Sequence, residues 1–443
     1  MIVLRGGTLL TMDARRTVRR ADLLVDRDRI ARIGAGRAPR GARVIDCAGR
    51  IVIPGLVQAH VHLCQALFRN LADGLPLLEW LSLRIWPLEA AHDARSLGFS
   101  ARLGIAELLL GGTTSVLDMA TVRHTEVVLR AAEDSGIRYA GGKCLMDAGP
   151  GPLREGTREA LRETLRLGRK WHGAAGGRIR WALCPRFVLS CSLGLLQEVR
   201  ALSEREGWLV HTHASESRAE VEAVRDHTGT DNVAYLDRIG LCTSRTVLAH
   251  CVHVSPGEIR ILARSGTSAV HCPGANLKLA SGIAPVPKLL AEGVNVALGA
   301  DGAACNNTLD AFHEMRLAAT LHLLEAGAPA LPPAEVLAMA TIRGARALGL
   351  ADEIGSLEEG KKADIAVVDV SGPHCQPAGP DPHGTLVYCA RASDVTDVIV
   401  DGQVVVRGRR LRRLDAERLA AAASAEARRL RARAYLTGIH LKK

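Results

Sequence analysis

Short apolar runs broken by Gly, Asp and Arg fill the first fifty residues. Residues 2–4, 22–25, 30–33 and 43–46 each read as a strand bounded by a turn. The same texture returns late, at 363–370, 385–390 and 395–411. Residues 398–406 are Val-rich on both sides of Asp401-Gly402, a dipeptide that favours a two-residue hairpin turn. Two β-rich ends around a different middle predict one small β-sandwich domain built from both termini, residues 1–53 together with 351–443. Past about residue 414 the chain is charged and Ala-rich. That stretch reads as a terminal helix, a surface or oligomer element.

The middle, residues 54–350, alternates. Helical stretches at 90–110, 125–134, 153–171, 195–206 and 258–263 lie between apolar runs at 114–118, 179–184, 209–213, 247–250, 268–272 and 294–298. Repeated strand–helix units over this length fit a (β/α)8 barrel of the TIM type. A doubly wound open sheet is the alternative. No G-x-G-x-x-G follows the first strand, and the polar residues fall on several separated strands, so the barrel is preferred.

Composition narrows the class. Hydrophobic residues make up 47% and charged residues 23%, an ordinary globular mixture. The net charge is +10, but Arg is spread along the chain and aromatics are only 3%, which leaves few stacking platforms for nucleic acid. The 11 Cys are odd in number, dispersed and without a C-x-x-C pair. This argues against a disulfide framework and for a reducing, cytoplasmic setting. No stretch reaches the length of a membrane span.

Five polar positions then stand out: His60 and His62 in PGLVQAHVH, His213 in VHTHASE, His250 in VLAHCVH and Asp301 in VALGADGAACNN. Each closes an apolar run and precedes a loop, the place where parallel strands aim their C-terminal ends at one point. Imidazoles and a carboxylate gathered there can bind a divalent metal and activate water. His60 and His62 are two apart and share a strand face. His211 shares that of His213, and only one of these two need be a ligand. Glu216, just past the strand end, is placed to exchange protons with a substrate, though SESRAEVE is also a helix start. His253 and His271 close further runs. Asp301 has a plainer alternative, as N-cap of a helix at 309–323. Any one of these residues alone is more often structural. Five together on successive strand ends are not.

The chain resembles the amidohydrolase superfamily, in the branch of adenosine-type deaminases and s-triazine hydrolases. The resemblance rests on PGLVQAHVH, LPLLEWLSLRIWPLEA, LLLGGTTSVLDM, HTHASES, LAHCVHVS, HCPGANLKLASGIAPVPKLL, LGADGAACNNTLDAFHEMRLAA and ATIRGARALGLADEIGSLEEGKKADIAVVD. It implies a single divalent ion per chain, zinc or else iron, held by His60, His62, His213 and Asp301. It also implies Glu216 as the acid that protonates the ring nitrogen. His250 would orient the attacking water, and Asp301 would shuttle its proton. Glu89, in WPLE, matches a carboxylate that binds ribose hydroxyls.

Pro185-Arg186-Phe187-Val188 departs from the methylthioadenosine pattern, which has a histidine where Arg186 stands. Guanine deaminases resemble the chain there and also carry a glutamine at the position of Gln65. Lys143 and Arg154 fall near arginines of the nucleoside enzymes. The expectation is a hydrolytic deaminase of a 5′-modified adenosine, such as 5′-deoxyadenosine, methylthioadenosine or S-adenosylhomocysteine. Guanine, a pterin or a triazine is the alternative substrate, and a non-catalytic scaffold is the alternative from another class. Substrate contacts are expected from Gln65, Glu89, Arg186, Phe187, Lys143 and Arg154. No nucleic-acid or membrane partner is expected, and the chain should form a homo-oligomer, a dimer or tetramer.

Overall fold

A computed structural model describes residues 1–34, 36, 38–326 and 331–436. Eight parallel strands run in chain order: β1 (Leu56–His62), β2 (Thr113–Met119), β3 (Arg138–Gly142), β4 (Ile179–Pro185), β5 (Leu209–Ala214), β6 (Thr246–His250), β7 (Ser268–His271) and β8 (Val296–Leu298). The chain just past β8 pairs back onto β1, Asp301 with Val61 and Gly302 with His62. That pairing closes the sheet into the TIM-type barrel. The closure is tight: a Cβ on Gly299 would sit 2.7 Å from the carbonyl oxygen of His60. Every residue of β1 and β2 is buried, as expected of parallel strands covered on both faces. Helices such as Ala94–Leu110, Thr125–Ser135, Thr157–Trp171 and Leu193–Glu206 separate the strands.

The termini meet in one nine-stranded sheet. Arg50–Pro54 lies between Ile2–Leu10, which it pairs in parallel, and Ile365–Asp369, which it pairs in the antiparallel sense. This is the mixed sheet of the β-sandwich domain. The hairpin at Asp401-Gly402 forms, with φ of 51° and 73° at the two turn residues. A buried two-pronged ion pair, Arg138 Nε and Nη2 to the Asp364 carboxylate at 2.8 and 2.9 Å, ties β3 to this sheet.

Two sequence expectations need correction here. Residues 385–390 are not a strand. Thr385–Cys389 is a wide helical turn whose successive buried residues Thr385, Leu386 and Val387 pack toward the helix Ala311–Ala326. The N-cap before Ala311–Ala326 is Asp310, whose Oδ1 accepts from Phe312 N at 2.8 Å, and not Asp301. The terminal helix Ala416–Leu436 is present and buries Leu430 and Ala434.

Candidate active site

The strand ends bring His60, His62, His213, His250 and Asp301 to one point at the C-terminal mouth of the barrel. One donor atom each from His60, His62 and His213 lies within 4.8 Å of the others, and the same holds for His60, His250 and Asp301. His250 and Asp301 have positive φ, 75° and 60°, as do Ser215 (55°) and Cys251 (48°). Such backbone strain in non-glycine residues gathers at functional sites.

The hydrogen bonds behind the histidines set their tautomers. Carbonyl oxygens only accept. His62 Nδ1 therefore donates to Met119 O (2.9 Å) and His213 Nδ1 to Arg186 O (2.7 Å). His250 Nδ1 donates to Asn276 Oδ1 at 2.8 Å. For His60 the constraint arrives through a relay. His211 Nδ1 donates to Val247 O (3.1 Å), so its Nε2 accepts from His60 Nδ1 at 2.8 Å. All four Nε2 atoms thus point lone pairs inward. Burial disfavours protonation and pulls His60 down to about 4, and it lowers His62, His213 and His250 as well.

These lone pairs face one another with nothing to donate. His62 Nε2 and His213 Nε2 are 3.2 Å apart. His60 Nε2 and His62 Nε2 lie 3.2 and 3.4 Å from Asp301 Oδ1. Neutral nitrogens and a carboxylate arranged this way repel unless a cation lies between them. Three imidazoles and a carboxylate fit a zinc-class ion.

Around this point the pocket is lined by Gln65, Leu77, Trp80, Leu81, Arg186, Phe187, Glu216 and Glu220. Glu216 Oε2 is 3.5 Å from His250 Nε2, and its buried Oε1 has no partner among the described residues. Burial first, then the charge of Asp301, pushes the Glu216 carboxyl well above its usual range. Glu220 holds the loop in place by accepting from Glu216 N (2.6 Å) and from Asn232. Ser217 caps the helix Arg218–Thr228, so the helix-start reading of this stretch and its place beside the pocket are both correct.

Arg186 and Glu89 are joined to each other. Nη1 meets Oε2 at 2.6 Å and Nη2 meets Oε1 at 3.1 Å, while Gln65 Nε2 donates to Glu89 Oε1 at 3.1 Å. Glu89 therefore stands behind the pocket wall, engaged by Arg186 and Gln65. Lys143 and Arg154 are not brought to the pocket. The Lys143 ammonium is buried on Glu155 (3.0 Å), Glu163 (3.3 Å) and Val122 O. Arg154 Nε donates to Asp147 O at 3.0 Å. His253 donates to Ser281 O at 2.7 Å, and His271 lies tilted against His322 with ring centroids 5.4 Å apart, outside the pocket lining.

His211, read from the sequence as an alternative ligand to His213, stands behind His60. Two residues lie outside the sequence reading of the site, Asn276 behind His250 and Glu220 behind Glu216. Of these, Glu220 leaves a trace as the fourth residue of the S-x-x-E cap.

The model of the amidohydrolase family matches residues 51–405. The chain is 40% identical over 435 residues to 5-methylthioadenosine/S-adenosylhomocysteine deaminase of Pelotomaculum thermopropionicum, covering 97% of this chain and 98% of that one. It is 42% identical over 414 residues to 5′-deoxyadenosine deaminase of Methanothermobacter thermautotrophicus, covering 92% and 95%. Among solved structures it superposes on an adenosine deaminase from Xanthomonas campestris with bound zinc, with a TM-score of 0.92, 34% identity and coverage of 97% and 98%.

Proposed function

The chain belongs to the amidohydrolase family, and on that footing we propose that it is a metal-dependent hydrolytic deaminase of an adenosine-type nucleoside, releasing ammonia. One observation carries the reading: inward Nε2 lone pairs and a carboxylate converge beside a buried glutamic acid whose carboxyl is held well above its usual range. His60, His62, His213 and Asp301 would hold one ion, zinc before iron. When bound, the ion supplies Lewis acidity that brings the pKa of a coordinated water toward neutrality.

The protein groups divide the proton work. Glu216, kept protonated by burial, donates to the ring nitrogen next to the amino-bearing carbon as water adds there. The lone pair of His250 Nε2 orients the attacking water, its ring fixed by Asn276. The Asp301 carboxylate accepts one proton of the water and passes it to the departing amine, which leaves as ammonia, and the second water proton, released as the carbon–oxygen double bond forms, returns to Glu216. Leu77, Trp80, Leu81 and Phe187 give the ring an apolar slot and keep bulk water out.

The Glu89–Arg186–Gln65 cluster favours a second reading within the class. Both Glu89 oxygens are engaged by Arg186 and Gln65, whereas Gln65 Oε1 and Trp80 Nε1 are buried without partners among the described residues. One acceptor and one donor suit the edge of a guanine- or pterin-type ring. An ammonia-release screen of the zinc-loaded protein separates the two readings. Faster turnover of 5′-deoxyadenosine, methylthioadenosine or S-adenosylhomocysteine supports the first. Faster turnover of guanine or a pterin replaces it with the second, and turnover of none of them rejects both.

A further inference from the structure

We propose that His374, Cys375 and Asp394 form a second metal site, in the C-terminal segment and separate from the barrel, which takes a zinc-class divalent ion. His374 and Cys375 lie on the short turn Pro373–Cys375, and Asp394 ends the turn Ala392–Asp394. One donor atom from each lies within 4.8 Å of the other two. The set mixes an imidazole, a thiol and a carboxylate, the three ligand types zinc accepts, and it leaves a fourth position for water.

The arrangement is held in advance. Asp394 Oδ2 accepts from Arg391 N at 2.9 Å and meets His374 Nε2 at 2.8 Å. Gly372 makes room for the imidazole: a Cβ there would lie 2.8 Å from His374 Cε1. Cys375 is buried beneath, and its thiol is held above the ordinary range by burial first, then by Asp394 and Cys389. Binding would displace the thiol proton to solvent and replace the His374–Asp394 contact with two bonds to the ion. The nearby Arg391 charge opposes a cation, so this site should bind more weakly than the barrel.

The plain alternative is a bare His374–Asp394 ion pair, and sulfur distinguishes the two. The barrel set of His60, His62, His213 and Asp301 contains no thiolate. Metal-free protein would be loaded with Co2+ and its near-ultraviolet spectrum and metal content measured. Wild type should show a thiolate-to-cobalt charge-transfer band and two equivalents of metal. Cys375→Ser should lose the band and one equivalent while keeping the other. His374→Gln, at a partly exposed position, should weaken the second site at least tenfold and serves if the buried Cys375→Ser change impairs folding. A single equivalent in wild type, or a band that survives Cys375→Ser, overturns the proposal. Neither result depends on which substrate the barrel takes.

Discussion

Arg186 and Glu89 form a buried two-pronged ion pair in the wall of the pocket, at 2.6 and 3.1 Å. Burial opposes both charges, yet each partner holds the other ionised: Glu89 below its usual range and Arg186 above. Removing one partner strands a buried charge, which costs about 3–5 kcal/mol. Glu89→Ala should therefore lower the urea midpoint and cut kcat/KM for every substrate alike. Unchanged stability with a loss confined to nucleosides would return Glu89 to the ribose.

Substituting a ligand should remove the ion. His62→Ala and His213→Ala are expected to abolish both bound zinc in the barrel and ammonia release, since each deletes an Nε2 donor at the cluster. Metal analysis is cleanest in a Cys375→Ser background, where wild-type ligands should retain one equivalent and either variant none. A full equivalent retained in both would disprove the ligand set.

Much of this cluster is legible in the sequence because polar residues at strand ends leave a linear trace. His60-Val61-His62 carries both the strand period and the paired imidazoles, and Asp301 follows an apolar run that forms a strand. The supporting residues leave no such trace. His211 and His213 are equivalent by period, and only the side-chain contact of His211 with His60 across the barrel shows which faces the pocket and which backs His60. Asn276 reaches His250 from the short helix Pro273–Lys278 that follows the next strand. Lys143 and Arg154 were misplaced because loop residues carry no periodicity, and the carboxylates that capture Lys143 lie 12 and 20 positions further on. The stretch at 385–390 has strand-like residues, but its burial comes from neighbouring helices.

Asn276 should act through His250. Its Oδ1 fixes the ring and the tautomer, and loss of such a support typically costs about 10–100-fold. Asn276→Ala is expected to lower kcat by that order with the metal content intact and KM little changed. A fall in metal content instead would move Asn276 to a structural role.

Asp118 gives a stability test. It is fully buried, accepting from Leu63 N (2.8 Å) and Tyr139 Oη (2.9 Å), and burial pushes its carboxyl from 3.8 up to about 7. Between those values the folded state keeps a proton that the unfolded state has released. Stability therefore falls as pH rises through that window, by roughly 1.4 kcal/mol per unit for this group. Asp118→Asn should flatten that slope in urea unfolding between pH 4 and 7. An identical slope in the variant would mean Asp118 is ionised in the fold.

Glu216 provides the sharpest test of the chemistry. It touches no ligand position directly, so Glu216→Gln should keep the bound metal. An amide cannot hand a proton to the ring, and turnover should fall by orders of magnitude. The pH profile carries the sign. The acid must be protonated to work, and its pKa lies well above the usual carboxyl range because of burial and the Asp301 charge. Wild-type kcat/KM should therefore fall as pH rises through the Glu216 pKa. The residual activity of Glu216→Gln should lack that limb, because its side chain does not titrate. A variant that keeps near-normal turnover, or that loses activity along the same alkaline limb as wild type, places the acid on another residue.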